Sequence, residues 1–215
     1  MTENLFEARY DITKKSKFRN FYDSYKIFIY SFVLIFFISL GSYNYFLSNK
    51  EKKKILISEN YIQAKIYLEN GKKNEATDIL KNIILADDPV YSTLGFFLIL
   101  NQDLIVDQSE ISSLFNHLLE NNKFGKEVRN LLIFKKALYN SNFVDESVLL
   151  EEVKPLISSE SLWKPHALLL LGDYFLSKKE NLKAKEFYLQ ILNTRGLQNN
   201  LYEHARSKLA SISND

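Results

Sequence analysis

The chain has 215 residues with 46% hydrophobic and 25% charged side chains, too apolar for a disordered polymer and long enough for one or two domains. It has no cysteine, which excludes disulfides and thiolate metal sites. The net charge of +2 is unevenly placed: six basic and four acidic residues fall within the first 49, and the remainder holds 22 of each, so no counterion-release term favours a polyanion and nucleic-acid binding is disfavoured.

Residues 1–26 read as a short charged tail. An uncharged run follows from Ile27 to Asn49, with the sequence IFIYSFVLIFFISLGSYNYFL at its centre. At about 1.5 Å per residue, roughly 20 apolar residues cross a hydrocarbon core, so residues 27–47 are expected to form a transmembrane helix. A cleaved signal peptide fits less well, because such peptides end in small side chains and Gly41-Ser42-Tyr43-Asn44-Tyr45 is bulky there. Tyr22, Tyr25 and Tyr30 on one flank and Tyr43 and Tyr45 on the other suit the two interfacial aromatic belts. Lys14, Lys15, Lys17, Arg19 and Lys26 precede the span, and Lys50, Lys52, Lys53 and Lys54 follow it. That slight excess, with a short basic tail ahead of a first span, places the N-terminus in the cytoplasm and the long downstream part outside it. Lys52 to Lys54 could equally touch anionic headgroups or open a solvated helix. Residues 48–56 are expected to be a linker, and 57–215 the folded domain.

Within that domain the apolar residues keep helical spacing. Ala76, Ile79, Leu80, Ile83 and Ile84 form one stripe, Ile111, Leu114, Phe115, Leu118 and Leu119 a second, and Ala184, Phe187, Tyr188, Ile191 and Leu192 a third. Asp88-Pro89 and Asp107-x-x-Glu110 are helix-start signals, the latter a capping box. Pro89, Pro155 and Pro165 are read as breaks between periodic segments. The spacing predicts helices over 57–69, 74–85, 90–101, 110–120, 125–139, 145–157, 165–177, 181–193 and 200–212. The fold class is therefore all-α: one N-terminal transmembrane helix, then four hairpins and a closing helix with Leu201, Ala205, Leu209 and Ile212 on one stripe.

Two hairpins carry tetratricopeptide offsets, in which small residues let paired helices approach. Ala64, Tyr67, Gly71, Ala76 and Leu80 do so in the first, and Leu171-Gly172, Phe175, Ala184 and Tyr188 in the last, with Leu94-Gly95 a remnant between. This reads as a tetratricopeptide-like helical solenoid, whose stacked pairs share a continuous core. The whole order resembles the YfgM-type bacterial inner-membrane proteins, ancillary subunits of the SecYEG translocon. Three stretches carry the likeness: the tail Glu7 to Tyr25; Ala86-Asp87-Asp88-Pro89-Val90-Tyr91 before Leu94; and Trp163-Lys164-Pro165-His166-Ala167 before Leu171-Gly172. The resemblance implies a cytoplasmic N-terminus, a periplasmic domain in the cell inner membrane, and contact with the translocon and periplasmic chaperones.

No chemistry-bearing motif is found, and no catalytic, cofactor or metal residue is assigned. HExxH, GxGxxG, a P-loop and GxSxG are absent, and His117, His166 and His204 are scattered. His166 is expected to face solvent or cap a helix. Asp87-Asp88, Asp145-Glu146 and Glu151-Glu152 are expected at helix starts, where the dipole favours negative charge. The single tryptophan, Trp163, is expected to pack a connection against the last hairpin. The function expected is a membrane-anchored protein-interaction module that assists export or periplasmic folding; the alternative is a scaffold for cell-envelope assembly or division. An enzyme or enzyme-inhibitor domain, and a cytoplasmic adaptor of inverted topology, are the remaining rivals.

Overall fold

The computed structural model describes residues 17–194, 196 and 198–213, and the tail residues 1–16 lie outside them. The described residues form helices joined by turns and short connections, without a strand. The chain divides into two compact units, Met1–Ile55 and Leu56–Asp215. Helix α1 (Lys17–Glu69) belongs to both; then come α2 (Lys73–Ile84), α3 (Pro89–Asn101), α4 (Gln108–Asn121) and α5 (Lys126–Asn140). Helices α6 (Glu146–Ile157), α7 (Lys164–Ser177), α8 (Asn181–Leu192) and α9 (Asn199–Ser213) complete the second unit. Each boundary falls within three residues of its sequence expectation, except at the start of α1.

The expected linker over 48–56 is instead helical within α1. Nothing there stops a helix: no proline or glycine lies between Gly41 and Gly71, and Lys-Glu-Lys-Lys-Lys is a run of helix formers. In the first unit an 18-residue window has a mean hydropathy of 1.8 and none of it is buried. Phe28 and Phe32 are each 72% exposed, and the five expected belt tyrosines are exposed as well. One helix among those described is thus long and apolar enough to cross a membrane.

The second unit builds its core from the predicted stripes. In α4 all five stripe residues are buried; in α2, Ala76, Leu80, Ile83 and Ile84 are; in α8, Ala184, Tyr188 and Ile191 are, with Phe187 half-buried and stacked on Phe175 at 5.5 Å. Two apolar clusters result. The first joins Ile57 and Ala64 of α1 to α2, α3, α4 and Leu132 of α5 around Phe96 and Phe115. The second joins Ala137 of α5 to α6, α7, α8 and α9 around Phe175 and Tyr188. Ile133 packs against both, so α5 is shared. Sequential helices from α2 to α9 touch, and α5 meets α7 and α7 meets α9 across the helix between.

Caps and turns explain the breaks. Asp88 accepts from the Val90 and Tyr91 amides at 3.0 and 2.9 Å, as its sequence position suggests. The capping box at Asp107 is only half made: Asp107 accepts from the Ser109 amide at 2.8 Å, whereas Glu110 reaches away to pair with Lys81 of α2. Ser109 holds the Asp107 carboxyl below its usual pKa. Three helices end in one identical turn. After α1, Lys72 N donates to the Tyr67 carbonyl and Gly71 N to that of Leu68, with Gly71 at φ +74°. After α3, Leu104 N and Asp103 N repeat it on Ile99 and Leu100, and after α7, Glu180 N and Lys179 N repeat it on Phe175 and Leu176. Asp103 at φ +48° and Lys179 at φ +62° take the left-handed position that glycine fills after α1.

Pro155 corrects the expectation that every proline separates two segments. Pro89 opens α3 and Pro165 is the second residue of α7, but Pro155 lies inside α6, third from its end. So close to the terminus it forfeits one hydrogen bond while Leu156, wholly buried, keeps the last turn in the core. Glu151 and Glu152 likewise sit in mid-helix and not at a start. Glu152 is tied to Lys136 at 3.1 Å and accepts from Asn140 at 2.8 Å, making a polar clasp between α5 and α6.

Candidate cleft at the start of helix α7

Two surfaces of the chain ask for an occupant. One is the apolar stretch of α1 in the first unit, where no part of an 18-residue window is buried. The other is a cleft of about 940 Å³ in the second unit, beside the connection between α6 and α7.

The frame of that cleft is held by α5. Lys126 Nζ donates to the Glu160 carbonyl at 2.9 Å, Asn130 donates to Ser161 Oγ at 2.9 Å, and the Leu162 amide donates to Glu127 at 3.3 Å. Trp163 then lies against α5: its indole N–H donates to the Glu127 carbonyl at 3.1 Å, and its ring stacks on Phe134 with centroids 5.7 Å apart. The expected packing role of Trp163 is thus located on α5, two helices before the last hairpin. A large aromatic body with its one donor satisfied makes a rigid wall.

Pro165, Leu168 and Leu201 continue the apolar lining, and Gln190, Asn193 and Gln198 belong to the wall as well. Among the described residues the charged lining is Glu127, Glu160 and Lys164. Leu162, on the rim, is 75% exposed. The sequence reading missed this cleft, for its walls come from α5, the α6–α7 connection, α8 and α9, and no short motif joins them.

His166 lines the cleft and, contrary to the expectation of a solvent-facing side chain, is half-buried, its ring 5.2 Å from Trp163 and 5.8 Å from Phe134. Burial pushes its pKa below the ordinary 6.5, with the Leu162 backbone offsetting this in part. A depressed folded-state value means the unfolded chain takes up the proton first as pH drops. Stability from the neutral ring is therefore present above pH 6.5 and lost as pH falls through the lower folded value. We expect His166→Gln to flatten the acid side of a melting-temperature profile measured below pH 6.5; an unchanged slope would remove His166 as its source.

The other singled-out polar residues are structural in their contacts. His117 Nε2 lies 2.9 Å from Asp87, which sits at φ +58° between α2 and α3, so this pair links that turn to α4. His204 is exposed on α9. Glu146 opens α6 and reaches Lys183 of α8 at 2.9 Å; Glu180 and Glu146 together hold that ammonium above its usual pKa. Tyr188 donates to Asp173 at 2.7 Å, and burial, aided by that carboxylate, raises its phenol pKa. Among the described residues no group of three or more His, Asp or Glu side chains could hold a metal ion. No family model, curated protein or solved structure matches this chain.

Proposed function

We propose that the chain is a single-span membrane protein whose second unit is a tetratricopeptide-like protein-interaction module, acting as an ancillary translocon subunit that assists export or the folding of exported chains. The observation that carries the reading is the fully exposed apolar window of α1, which is long enough to cross a hydrocarbon core and would be covered there. Three features support helical hairpins in series. The same turn closes α1, α3 and α7; small residues sit at close helix approaches, Gly95 against Ile83 and Gly172 against Tyr188; and α5, α7 and α9 touch in alternation. Assignment to the translocon rests on the family resemblance, and placement of residues 57–215 in the periplasm rests on the flanking lysines and arginines.

Crosslinking in intact membranes, followed by identification of the partners, tests the reading, because an interaction module is defined by what it holds. Recovery of the translocon core or a periplasmic chaperone is expected. Recovery of only cell-division or peptidoglycan-synthesis proteins would replace it with the envelope scaffold. Topology is tested separately, since the chain has no cysteine of its own. A cysteine introduced at Asn181 should react with a membrane-impermeant reagent in spheroplasts while one at Ser16 should not. Labelling at Ser16 alone would make the second unit a cytoplasmic adaptor.

A further inference from the structure

We propose that one face of α1, carrying Tyr43, Phe46, Lys50, Lys53 and Lys54, binds the phosphate headgroup of an anionic membrane lipid. The inference rests on the single-span reading and goes beyond it by naming a class of lipid and the residues that select it.

Depth comes first. The uncharged run from Ile27 to Asn49 is about 34 Å long at about 1.5 Å per residue, against a hydrocarbon core of about 30 Å. A charged side chain is costly inside that core, so Lys50 begins where the headgroups begin. Tyr43 and Tyr45 are exposed just before it, and tyrosines settle at the interface, which fixes the depth of this end of the span. Helicity comes second. Lys52, Lys53 and Lys54 had two uses open to them, headgroup contact or the start of a solvated helix. The second is removed, because α1 starts at Lys17 and runs unbroken to Glu69.

A continuous helix decides which side chains share a face. At about 100° per residue, Tyr43, Phe46, Lys50, Lys53 and Lys54 fall within about 60° on either side of one line, and all five are exposed. Lys52 lies on the opposite side, and Glu51, the only acidic residue between Asp23 and Glu59, stands off the face. Three ammoniums within about a turn of one another repel, and like charges at this spacing weaken a helix. An anion supplied from outside offsets that repulsion. A lipid phosphate has the required sign, lies at the required level, and brings acyl chains that can run along Tyr43 and Phe46 below the lysines. An acidic protein segment has the sign without the chains, and a zwitterionic lipid carries its own cation beside the phosphate and gains less.

Because the chain has no cysteine, a single one introduced at Ser48, on the side of α1 away from this face, can carry a fluorophore. The full chain is reconstituted into phosphatidylcholine vesicles that contain a small, equal fraction of either phosphatidylglycerol or phosphatidylcholine bearing a nitroxide near the headgroup. A nitroxide quenches only at close range, so lipids drawn to the basic residues before the span go unseen. Quenching should show phosphatidylglycerol enriched about threefold or more over phosphatidylcholine, and the enrichment should shrink at high salt. Lys50→Gln, Lys53→Gln and Lys54→Gln together should abolish it with helicity unchanged, since glutamine is as good a helix former. Lys50→Arg, Lys53→Arg and Lys54→Arg should keep it, and Lys52→Gln should leave it nearly intact. Equal quenching by the two lipids would overturn the proposal and leave the span standing, as would a preference that survives the triple glutamine variant or vanishes with Lys52→Gln alone. Quenching by neither lipid would place residue 48 away from the bilayer and overturn the span together with the proposal.

Discussion

Replacing Phe115 by alanine should destabilise the second unit by about 3 to 5 kcal/mol, the range for removing a buried phenylalanine from a packed core. Phe115 has no exposed surface, its ring meets that of Phe96 edge-on with centroids 4.3 Å apart, and Tyr139 lies 6.1 Å away. Aromatic pairs add about 0.5 to 1.5 kcal/mol to the transfer term, so the loss belongs in the upper part of that range. Against a total stability of about 5 to 15 kcal/mol this is a large share. Urea unfolding of the full chain in mild detergent, followed by circular dichroism, should show a lower midpoint at unchanged slope. A loss below about 1 kcal/mol would mean that Phe115 is not where the first cluster is anchored.

Gly172→Ala should also destabilise, although alanine is the better helix former. The added Cβ would lie 2.5 Å from one carbon of the Tyr188 ring and 2.9 Å from two more. That ring is fully buried, and its hydroxyl is held by Asp173 at 2.7 Å, so it cannot slide aside without breaking a hydrogen bond. Overpacking of this severity costs up to about 3 kcal/mol, and the helix preference for alanine returns about 1, leaving a net loss of about 1 to 2 kcal/mol. Gly95→Ala is the matched control: its Cβ meets Ile83 at 3.4 Å and the Leu80 carbonyl at 3.6 Å, ordinary contact distances. It should be neutral or mildly stabilising. Equal melting shifts for the two variants would show that α7 and α8 do not pack through Gly172.

Helix positions were legible because two local signals coincide, the apolar stripes and the residues that stop a helix. Ile111 to Leu119 illustrates it, with all five stripe residues buried between the Asp107 cap and Asn122. The reading failed where those signals conflict with a prior about domains. Residues 48–56 looked like a linker because charge follows an apolar run, yet Lys and Glu are strong helix formers and α1 continues through them. Pro155 still lies inside α6 because only Leu156 and Ile157 follow it, so the bond it removes interrupts no more than the end of the last turn. Glu110 matched a capping box at the level of spacing, but Lys81 from another helix outcompetes the local amide. The cleft was invisible for a related reason: Glu127, Trp163, Gln190 and Leu201 are brought together only by packing, and no periodicity encodes that.

The sharing of α5 between two apolar clusters has a consequence for how the second unit comes apart. Leu132 and Tyr139 serve the first cluster, Phe134 and Ala137 the second, and Ile133 touches both. Among the described residues the main contacts between helices otherwise run between near neighbours. The free energy that makes the two halves melt together is therefore concentrated in one helix of 15 residues. While α5 holds, α9 can fray without disturbing Phe96 and Phe115, and α2 can open without disturbing Tyr188. Once α5 is lost, neither half has a partner to report to, and a single cooperative transition becomes two independent ones.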